Sequence, residues 1–358
     1  MVPESFKGSI GMFPRGLVPM GMKFYVGVDG GGTKTECVVT DDSGRLVGMS
    51  VAGPSGYHNV GVSTAISNLR TGVNAALSEA HLSSNEVSGA FLGLSCVDSR
   101  RDASELRSKV VWVAREVMLE DDSTAALAGA FAGGPGIVAL SGTGSVVRGI
   151  NERNQKVRVG GWGYLIGDDG SAFDIGRQAL ARIASATDSA TDDTLLSRAL
   201  LNDYGVHEPE ELVRAVNMQE DPASRIASLA PLVSQTASDG DAVSLEILEE
   251  AGTKLARLVI TAARRLKMYG KPYEVSRVGS VFESRFVSSA FDKELGTKWS
   301  SSIATTPVLR PSMGAVLLAM RADRASFSPG LLASLKEASK EVSKRLGCEA
   351  LRSGTRHT

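Results

Sequence analysis

The chain has 358 residues, of which 42% are hydrophobic and 22% charged, a composition typical of a soluble globular protein with one large or two medium domains. Its net charge of −1, from 39 basic and 40 acidic residues, argues against a nucleic-acid partner and against an anionic membrane surface. No apolar run reaches the length needed to span a bilayer.

The first 22 residues, MVPESFKGSIGMFPRGLVPMGM, lack the continuous apolar block of a signal peptide. We expect either a disordered extension or residues upstream of a true start at Met20 or Met22. The cysteines form no CxxC pair, so neither a disulfide framework nor a zinc or cluster site is indicated, and a reducing cytoplasm fits. They are Cys37, Cys96 and Cys348. Four histidines are too few for us to expect a multi-histidine metal site.

The first half of the chain reads as an α/β pattern. Three strands connected by tight turns, at 24–29, 33–40 and 45–51, form a meander. The loop GPSGYHNVG (53–61) precedes an amphipathic helix that Ser63 caps and that runs to about residue 80. A strand at 89–98, a helix at 102–114 and a strand at 117–121 follow.

The second half of the chain repeats this order of predicted strands and helices with a different amino-acid sequence. Strands are predicted at 136–142, 146–150 and 156–161, mostly helix at 171–270, a strand at 274–280 and a helix from 312. We therefore expect two α/β domains, residues 23–133 and 134–325, that face each other across a cleft. Residues 326–358 are expected to form a C-terminal helix and tail.

The segment DGGGTKT lies between the first two strands. Glycines let backbone N–H groups point at a phosphate, while threonine hydroxyls and a lysine add further donors. These candidate phosphate-binding residues are Gly30, Gly31, Gly32, Thr33, Lys34 and Thr35. The alternative is a tight hairpin without a ligand, but such a hairpin needs one or two glycines, not three. The segment matches neither the Rossmann fingerprint nor the P-loop spacing.

The segment SGTGS (141–145) occupies the matching place in the second half. Gly142, Thr143 and Gly144, with the hydroxyls of Ser141 and Ser145, repeat the donor types of the first turn. Two such turns at equivalent places favour a two-sided polyphosphate site. As ordinary turn residues they would only cap strands.

In LEDDSTAALAGA (119–130) an apolar strand ends in two aspartates, and a helix of small residues begins. Asp122 is the candidate general base that orients a sugar hydroxyl and accepts its proton during phosphoryl transfer, with Asp121 as the second choice. The alternative is that the carboxylate caps the helix.

In VGGWGYLIGDDGSAF (159–173) glycines, one tryptophan and two aspartates form a loop suited to sugar hydroxyls. Gly161, Trp162 and Asp168 are the candidates, although Trp162 could equally be buried packing. Asp169 and Ser171 could cap the next helix. RVGSVF (277–282) ends a strand in Gly279 and Ser280, as close approach to a nucleoside requires.

Together, DGGGTKT, EDDSTAAL, SGTGSVV, GGWGYLIGDDGSA and RVGSVF resemble the N-acetylglucosamine kinase and BadF-type ATPase family of the actin-like superfamily, with the strongest likeness to archaeal hexokinase-like members. The resemblance covers about residues 24–325. It implies two actin-like, ribonuclease H-like domains that close on ATP and a sugar. It also assigns a role to each matched residue. Asp29 would lie near the water shell of Mg²⁺, Thr33 and Thr143 at the phosphates, Gly279 and Ser280 near adenosine, Asp122 as the base, and Gly161, Trp162 and Asp168 in the sugar pocket.

One departure concerns the first sugar loop, where family members often read Gly-Pro-x-Asn and this chain has Gly56. His58 or Asn59 could supply the missing polar contact, although a lone loop histidine is more often solvated. Some archaeal relatives phosphorylate 2-keto-3-deoxygluconate, whose carboxylate would need a cation. Arg100 and Arg101 could provide it, or be solvated surface charge.

The sequence therefore predicts a cytoplasmic, homodimeric, ATP-dependent carbohydrate kinase that uses Mg²⁺. Its acceptor would be a hexose of the glucose or N-acetylglucosamine type, or 2-keto-3-deoxygluconate, with neither preferred. Two alternatives remain: a BadF-type ATPase that activates a partner enzyme by electron transfer, for which the cysteine ligands look absent, and a non-catalytic sugar sensor.

Overall fold

The computed structural model describes residues 21–95, 97, 99–189, 194–323 and 328–354, without the side chains of Asn59, Arg100 and residues 348–354. The strands within these residues, β1 to β10, are Phe24–Gly30, Thr35–Asp41, Leu46–Ala52, Val87–Leu94, Glu116–Glu120, Gly136–Ser141, Ser145–Ile150, Lys156–Gly160, Glu274–Val278 and Ile303–Thr305. The helices, α1 to α12, are Tyr57–Glu79, Arg100–Val110, Asp122–Ala130, Ala172–Asp188, Leu195–Tyr204, Glu211–Asn217, Pro222–Ala227, Ala230–Ser238, Ala242–Arg265, Arg285–Lys298, Pro311–Asp323 and Pro329–Gly354. Short 3-10 helices occupy Ser84–Glu86 and Ser280–Glu283. The prediction of a disordered extension concerns mainly residues 1–20, which lie outside the described residues, as does the end of the tail.

The chain divides into two compact units. Unit 1 holds the described residues up to Gly133 together with those from Val308 onward, and unit 2 spans Gly134–Pro307. Gly133, the predicted last residue of the N-terminal domain, ends the first segment of unit 1, and the domain bounds as a whole stay a prediction. The second boundary differs from the predicted residue 325, because α11 packs on α3 and β1 of unit 1. A Cβ on Gly314 would lie 2.1 Å from the Ala125 carbonyl oxygen, so only glycine permits this approach.

Unit 1 is built on a five-stranded sheet with the order β3-β2-β1-β4-β5. The β1–β2 and β2–β3 pairs are antiparallel, as the predicted meander requires, and β4 and β5 run parallel to β1. Alternate residues of β1 enter different cores, because successive strand side chains point to opposite faces. Phe24, Val26 and Val28 join α1 and α2 on one face, and Tyr25 joins α11 and α12 on the other.

Unit 2 contains a sheet with the order β10-β9-β6-β7-β8. Matching β6 to β10 with β1 to β5 gives the same order and the same parallel and antiparallel pairs. Its core joins β6 and β7 to the long helix α9 and to α4, α8 and α10. Two mixed sheets with flanking helices confirm the predicted fold class, and the repeat read from the sequence is a repeat of topology.

Several element ends differ from the prediction for local reasons. β2 begins at Thr35 because the Gly31 N–H donates to the Lys34 carbonyl, at 2.9 Å, and closes a turn over 31–34. β4 ends at Leu94, four residues before its predicted end. The N-cap of α1 is Gly56, seven residues before the predicted cap Ser63, and the helix is interrupted at Gly61, whose φ of 77° and ψ of 155° are not helical.

Candidate active site

The candidate residues of unit 1 meet at one edge of its sheet. Strands β1, β4 and β5 are parallel, so their carboxyl ends lie at the same edge. The turn 31–34 leaves this edge after β1, and α3 begins there after β5. In α/β proteins this is the edge where ligands bind. The predicted phosphate turn and the predicted base therefore belong to one surface of unit 1.

The turn after β1 presents backbone and side-chain donors together. Gly31 and Gly32 are half-buried, whereas Thr33 and Lys34 are exposed at the tip. The Gly31 carbonyl accepts the N–H groups of Ser55 and Gly56 at 3.1 and 3.2 Å, which fixes the turn against the loop before α1. The exposed hydroxyl and ammonium groups at the tip are the pair that the phosphate hypothesis requires.

Gly30 and Thr35, at the two ends of this turn, serve to hold it. A Cβ on Gly30 would lie 2.2 Å from the Ser55 hydroxyl, so the approach requires glycine. The Thr35 hydroxyl is fully buried and donates to the Gly53 carbonyl at 2.7 Å, with the Ser55 hydroxyl 2.8 Å away. Thr35, predicted as a phosphate ligand, is thus committed to protein partners and positions the loop.

Two carboxylates lie side by side at the start of this hairpin. Asp29 of β1 is directly opposite Glu36 of β2 in the antiparallel register. Burial raises the pKa of the Asp29 carboxyl from 3.8 to about 7, and the Glu36 charge adds to the rise, while Arg310 and Lys34 oppose it. A cation near Asp29 would therefore relieve a repulsion that already exists in the protein.

The Glu36 carboxylate forms an ion pair with Arg310, which lies 274 residues later in the chain. Its carboxylate is 2% exposed and accepts both Nε and Nη2 of Arg310, at 3.1 and 2.8 Å, and the hydroxyl of Ser312. Although burial opposes it, these hydrogen bonds and the Glu36 charge raise the pKa of Arg310, so the guanidinium stays protonated. The sequence reasoning missed this pair. The sequence signal for the pair was a single acid, Glu36, directly before the apolar residues Cys37, Val38 and Val39.

The start of α3 separates the roles of its two aspartates. Asp121 is the N-cap and accepts the N–H of Ser123 at 2.9 Å, so the capping alternative applies to Asp121 and not to Asp122. A Cβ on Gly93 would lie 3.1 Å from the Asp122 Cα, so the helix start sits directly on β4. Gly93 is also the register partner of Asp29. Asp29 and Asp122 therefore flank the same glycine.

The predicted sugar loop after β3 becomes the first turn of α1. His58 is exposed and its ring lies 4.4 Å from that of Tyr57. Although burial opposes it, hydrogen bonds from Ser99 and Tyr57 and the charge of His58 lower the pKa of Asp102, at the start of α2. Asn59, the other candidate in this loop, has a side chain outside the described atoms.

The predicted carboxylate-binding arginines give little support to that role. The Arg101 side chain is 87% exposed and pairs with Glu105 one turn along α2, as a solvated surface pair does. The side chain of Arg100 and the whole of Asp98 and Cys96 lie outside the described part of the chain. Solvated charge is the interpretation that the geometry of Arg101 favours.

In unit 2 the equivalent turn, Gly142–Gly144, joins β6 to β7. The Gly142 N–H donates to the Gly144 carbonyl at 3.0 Å, and all three residues are half-buried. The Gly142 and Thr143 carbonyls accept the N–H groups of Ala172 and Phe173, at 2.8 and 3.3 Å, which binds the turn to the start of α4. A Cβ on Gly142 would meet no atom within 4 Å, so space is open in front of this turn.

Ser141 and Ser145, which flank the turn, are structural. Their hydroxyls are buried and donate to the carbonyls of Gly170 and Asp169, at 2.9 and 2.8 Å. The two serines therefore connect the turn to the loop 161–171 through hydrogen bonds. Because the Gly142 N–H already donates to the Gly144 carbonyl, the donors of this turn that are left for a ligand are the backbone N–H groups of Thr143 and Gly144 and the Thr143 hydroxyl.

Gly279 follows β9, the strand beside β6, and so emerges at the same edge of the sheet as the Gly142–Gly144 turn. Its φ is +111°, and a Cβ would lie 2.1 Å from the Ser141 carbonyl oxygen. Ser280 next to it is exposed and begins a 3-10 helix. The predicted nucleoside and phosphate residues of unit 2 thus share one edge.

The loop 161–171 brings Asp168, one of the predicted sugar residues, beside the Gly142–Gly144 turn. Asp168 is buried in a left-handed conformation, φ 60°, and its Oδ2 would lie 2.7 Å from a Cβ on Gly144. Gly161, φ 71°, accepts a hydrogen bond from Arg158 through its carbonyl. Trp162 is 72% exposed, so the alternative that it is buried packing is wrong.

A buried carboxylate that the sequence reasoning missed supports this loop. Asp174, in the first turn of α4, accepts the Gly170 N–H at 2.9 Å and the Nζ of Lys254 at 3.0 Å. Although burial opposes it, these bonds lower the pKa of Asp174, so it is ionised at neutral pH. Ser171 is the N-cap of α4 and accepts the Asp174 N–H at 3.1 Å. The signal was the capping pattern S-x-x-D in GSAFD.

The described residues contain no group of three or more His, Cys, Asp or Glu side chains that could hold a metal ion by itself. Any divalent cation at Asp29 would therefore need ligands from a substrate or from water. No helix in the described ranges combines the length and apolar character that crossing a membrane requires.

Comparison with known proteins gives consistent matches over most of the chain. A model of the BadF/BadG/BcrA/BcrD ATPase family matches residues 26–319. The N-acetyl-D-glucosamine kinase of Dictyostelium discoideum is 28% identical over 320 residues, covering 85% of this chain and 100% of that protein. The N-acetylmuramic acid/N-acetylglucosamine kinase of Clostridium acetobutylicum is 27% identical over 301 residues, covering 83% and 98%.

A solved structure agrees with these matches. The crystal structure of a candidate N-acetylglucosamine kinase from Chromobacterium violaceum superposes with a TM-score of 0.71 at 27% identity. It covers 83% of this chain and 98% of that protein.

Proposed function

The chain belongs to the BadF/BadG/BcrA/BcrD ATPase family, as the sequence motifs predict, and from this premise we propose that it is an ATP-dependent kinase of an amino sugar. N-acetylglucosamine is the first candidate acceptor, and glucosamine and glucose follow. Two relatives and a solved structure with names of this class support the choice, each similar over more than four-fifths of the chain. No finding supports 2-keto-3-deoxygluconate, and it is not part of the proposal.

The observation that carries the proposal is the placement of Asp122. Its helix start lies on Gly93 at the sheet edge from which the turn 31–34 also emerges. A carboxylate there can accept a hydroxyl proton while that oxygen attacks a phosphate held by the turn. Asp121 cannot substitute for it, because the Asp121 carboxylate is buried and occupied by the Ser123 N–H.

The reaction is a transfer of the γ-phosphoryl group of ATP to the sugar. The sugar oxygen forms a bond to the γ-phosphorus, the bond to the bridging oxygen breaks, and ADP leaves. Asp122 takes the hydroxyl proton. Thr33, Lys34 and the N–H groups of the turn other than that of Gly31, which donates to the Lys34 carbonyl, would stabilise the phosphate charge that develops in the transition state.

The remaining contacts would come from unit 2. Thr143 and Gly144 would donate to phosphate oxygens, Gly142 would line the phosphate site without a side chain, and Gly279 with Ser280 would lie at the adenosine. Gly161, Trp162 and Asp168 would contact the sugar, with Trp162 offering an exposed ring face. The open space before Gly142 fits a ligand that approaches the backbone closely, whereas the missing Cβ of Gly279 allows β9 to end against the Ser141 carbonyl.

The unit 1 edge also fits a magnesium ion that arrives with the nucleotide. The Asp29 carboxyl, held at a raised pKa of about 7 by burial and by Glu36, would gain from a divalent cation nearby. Asp29 would hold Mg²⁺ through water. When bound, the ion would neutralise phosphate charge and orient the γ-phosphate.

The test is a coupled ADP-release assay of the purified protein with N-acetylglucosamine, glucosamine, glucose, mannose and 2-keto-3-deoxygluconate. We expect sugar-dependent turnover that is highest with an amino sugar. Asp122→Asn should lower kcat at least about a hundredfold, the range of general-base catalysis, and leave MgATP binding by calorimetry nearly unchanged. Glu120→Gln, an exposed acid two residues earlier, is the matched control and should keep full activity. Near-normal turnover of Asp122→Asn would contradict the assignment of the base.

The electron-transfer alternative depends on cysteine ligands. Cys37, the one cysteine whose side chain is described, is fully buried in β2, and burial raises the pKa of its thiol to about 12. Such a thiol is poorly placed to ligate a cluster shared with another subunit. A colourless, iron-free protein that releases ADP only with sugar would remove both this alternative and the non-catalytic sensor. Cytoplasmic location and a homodimer remain part of the proposal, and light scattering of the purified protein tests the latter.

A further inference from the structure

The C-terminal helix α12 lies beyond the segment that matches the family. The family model ends at residue 319, and α12 spans Pro329–Gly354. One face of this helix is buried in the core of unit 1 through Leu331, Leu335, Ala338 and Val342. Gly44, in the turn between β2 and β3, has a φ of +84°, and a Cβ there would lie 2.9 Å from Leu331 Cδ1. The helix is therefore packed on the meander that carries the phosphate turn.

Two serines of α12 hold Arg310. The Ser339 hydroxyl, on a side chain that is 6% exposed, accepts the Arg310 backbone N–H at 2.9 Å. The Ser343 hydroxyl accepts Nη1 of the same arginine at 3.3 Å and donates to the Ser339 carbonyl at 3.1 Å. The backbone and the side chain of Arg310 are thus both fixed by one turn of α12.

Arg310 transmits this restraint to the β1–β2 hairpin. Its guanidinium makes a two-point contact with Glu36, which fixes orientation as well as distance. Glu36 follows the buried Thr35, whose hydroxyl holds the end of the turn, and lies opposite Asp29. The contacts run without a gap from α12 through Arg310 and Glu36 to the residues that flank the turn.

We propose that α12 positions the phosphate-binding turn, with Ser339, Ser343 and Arg310 as positioning residues that act through Glu36. This inference rests on the proposed function, because the turn is taken to bind the phosphates of ATP. None of the three residues touches a substrate. Their effect is on MgATP affinity, since the sugar residues of unit 2 make none of these contacts.

The test is calorimetric titration of the full-length protein with MgATP in the absence of sugar. Ser339→Ala with Ser343→Ala removes both hydroxyls and keeps the apolar face of α12. We expect about fivefold weaker MgATP binding, which corresponds to the loss of about one hydrogen bond. The KM for the sugar, measured separately by steady-state kinetics, should stay within about twofold of the wild-type value. The matched variant Ser339→Thr with Ser343→Thr keeps both hydroxyls and should bind MgATP with the affinity of the wild type. Lys340→Gln, an exposed residue of the same helix that pairs with Glu337, is the control and should behave as wild type.

Arg310→Lys gives a second measurement. It keeps the positive charge next to Glu36 and loses the two-point contact, so MgATP affinity should fall about tenfold. Thermal unfolding of every variant reports whether the fold is intact. Unchanged MgATP affinity in folded variants would overturn the inference, as would an equal loss for nucleotide and sugar or a failure of both variants to fold. A wild type that binds MgATP but phosphorylates no sugar would refute the proposed kinase activity alone.

Discussion

Replacement of Asp29 by asparagine should stabilise the metal-free protein, and the gain should increase with pH. Well below pH 3.8 the carboxyl is protonated in both the folded and the unfolded chain, whose pKa values are about 7 and 3.8. Between these values the unfolded chain releases the proton and the folded chain keeps it. The stability of the wild type therefore falls as the pH rises, whereas asparagine remains neutral throughout.

The magnitude follows from the pKa difference of about 3, which at about 1.4 kcal/mol per pH unit gives an upper limit of about 4 kcal/mol across the whole window. About two of these pH units lie between pH 5 and pH 8, so the upper limit there is about 2.7 kcal/mol. The Asp29 side chain is only half-buried, and solvent offsets part of the cost. We therefore expect the advantage of Asp29→Asn to grow by about 1–2 kcal/mol between pH 5 and pH 8.

The assay is urea unfolding in EDTA at the two pH values, followed by tryptophan fluorescence. Trp112 lies in unit 1 and reports on the unit that contains Asp29. Asp188→Asn, an exposed aspartate at the end of α4, is the matched control and should show no pH-dependent advantage. An equal offset of Asp29→Asn from wild type at both pH values, or a larger one at pH 5, would refute the reasoning.

Two glycines of unit 2 give further predictions. Gly279→Ala places a Cβ 2.1 Å from the Ser141 carbonyl oxygen at a φ of +111°, so unfolding in urea should show a loss of at least about 3 kcal/mol. Gly142→Ala, with open space around its Cβ, is its control and should fold normally. Gly144→Ala places a Cβ 2.7 Å from the Asp168 carboxylate, which must move. If Asp168 contacts the sugar, steady-state kinetics should show a sugar KM raised about tenfold or more. The KM for ATP should change less, because alanine keeps the backbone N–H at position 144 and its Cβ points at Asp168.

Turn chemistry made much of the fold predictable. A glycine turn, the DDSG turn and the NERNQ turn divide apolar runs into hairpins, and the same order of strands returns after residue 136. Because hairpins and parallel crossovers leave few topologies, the repeat in the sequence was enough to predict two sheets of the same kind. The boundaries were less certain, as at Gly61, where a glycine that looks like a loop residue interrupts α1 without ending it.

The candidate site was predictable where the chemistry lies in one short segment. The turns at 31–34 and 142–144 and the two aspartates at the start of α3 are of this kind. The pairing of Glu36 with Arg310 was not, because 274 residues separate the two and each alone looks like an ordinary charge. The second unit boundary was missed for a similar reason. Nothing local to α11 shows that Gly314 lies on α3 of the first unit.

Gly93 of β4 helps to set the relative positions of Asp29 and Asp122, because it has no side chain. Gly93 pairs in register with Asp29. Its missing Cβ leaves room for Asp122, because a Cβ at this position would lie 3.1 Å from the Asp122 Cα. A residue with a Cβ would shift the start of α3 by a few tenths of an ångström, and a larger one by more, which would move the proposed base relative to the turn after β1. The sequence gives no signal for this role, because a glycine in FLGLS resembles any small core residue. The proximity of base and phosphate turn in unit 1 is thus set by packing at β4 as much as by the motifs that contain them.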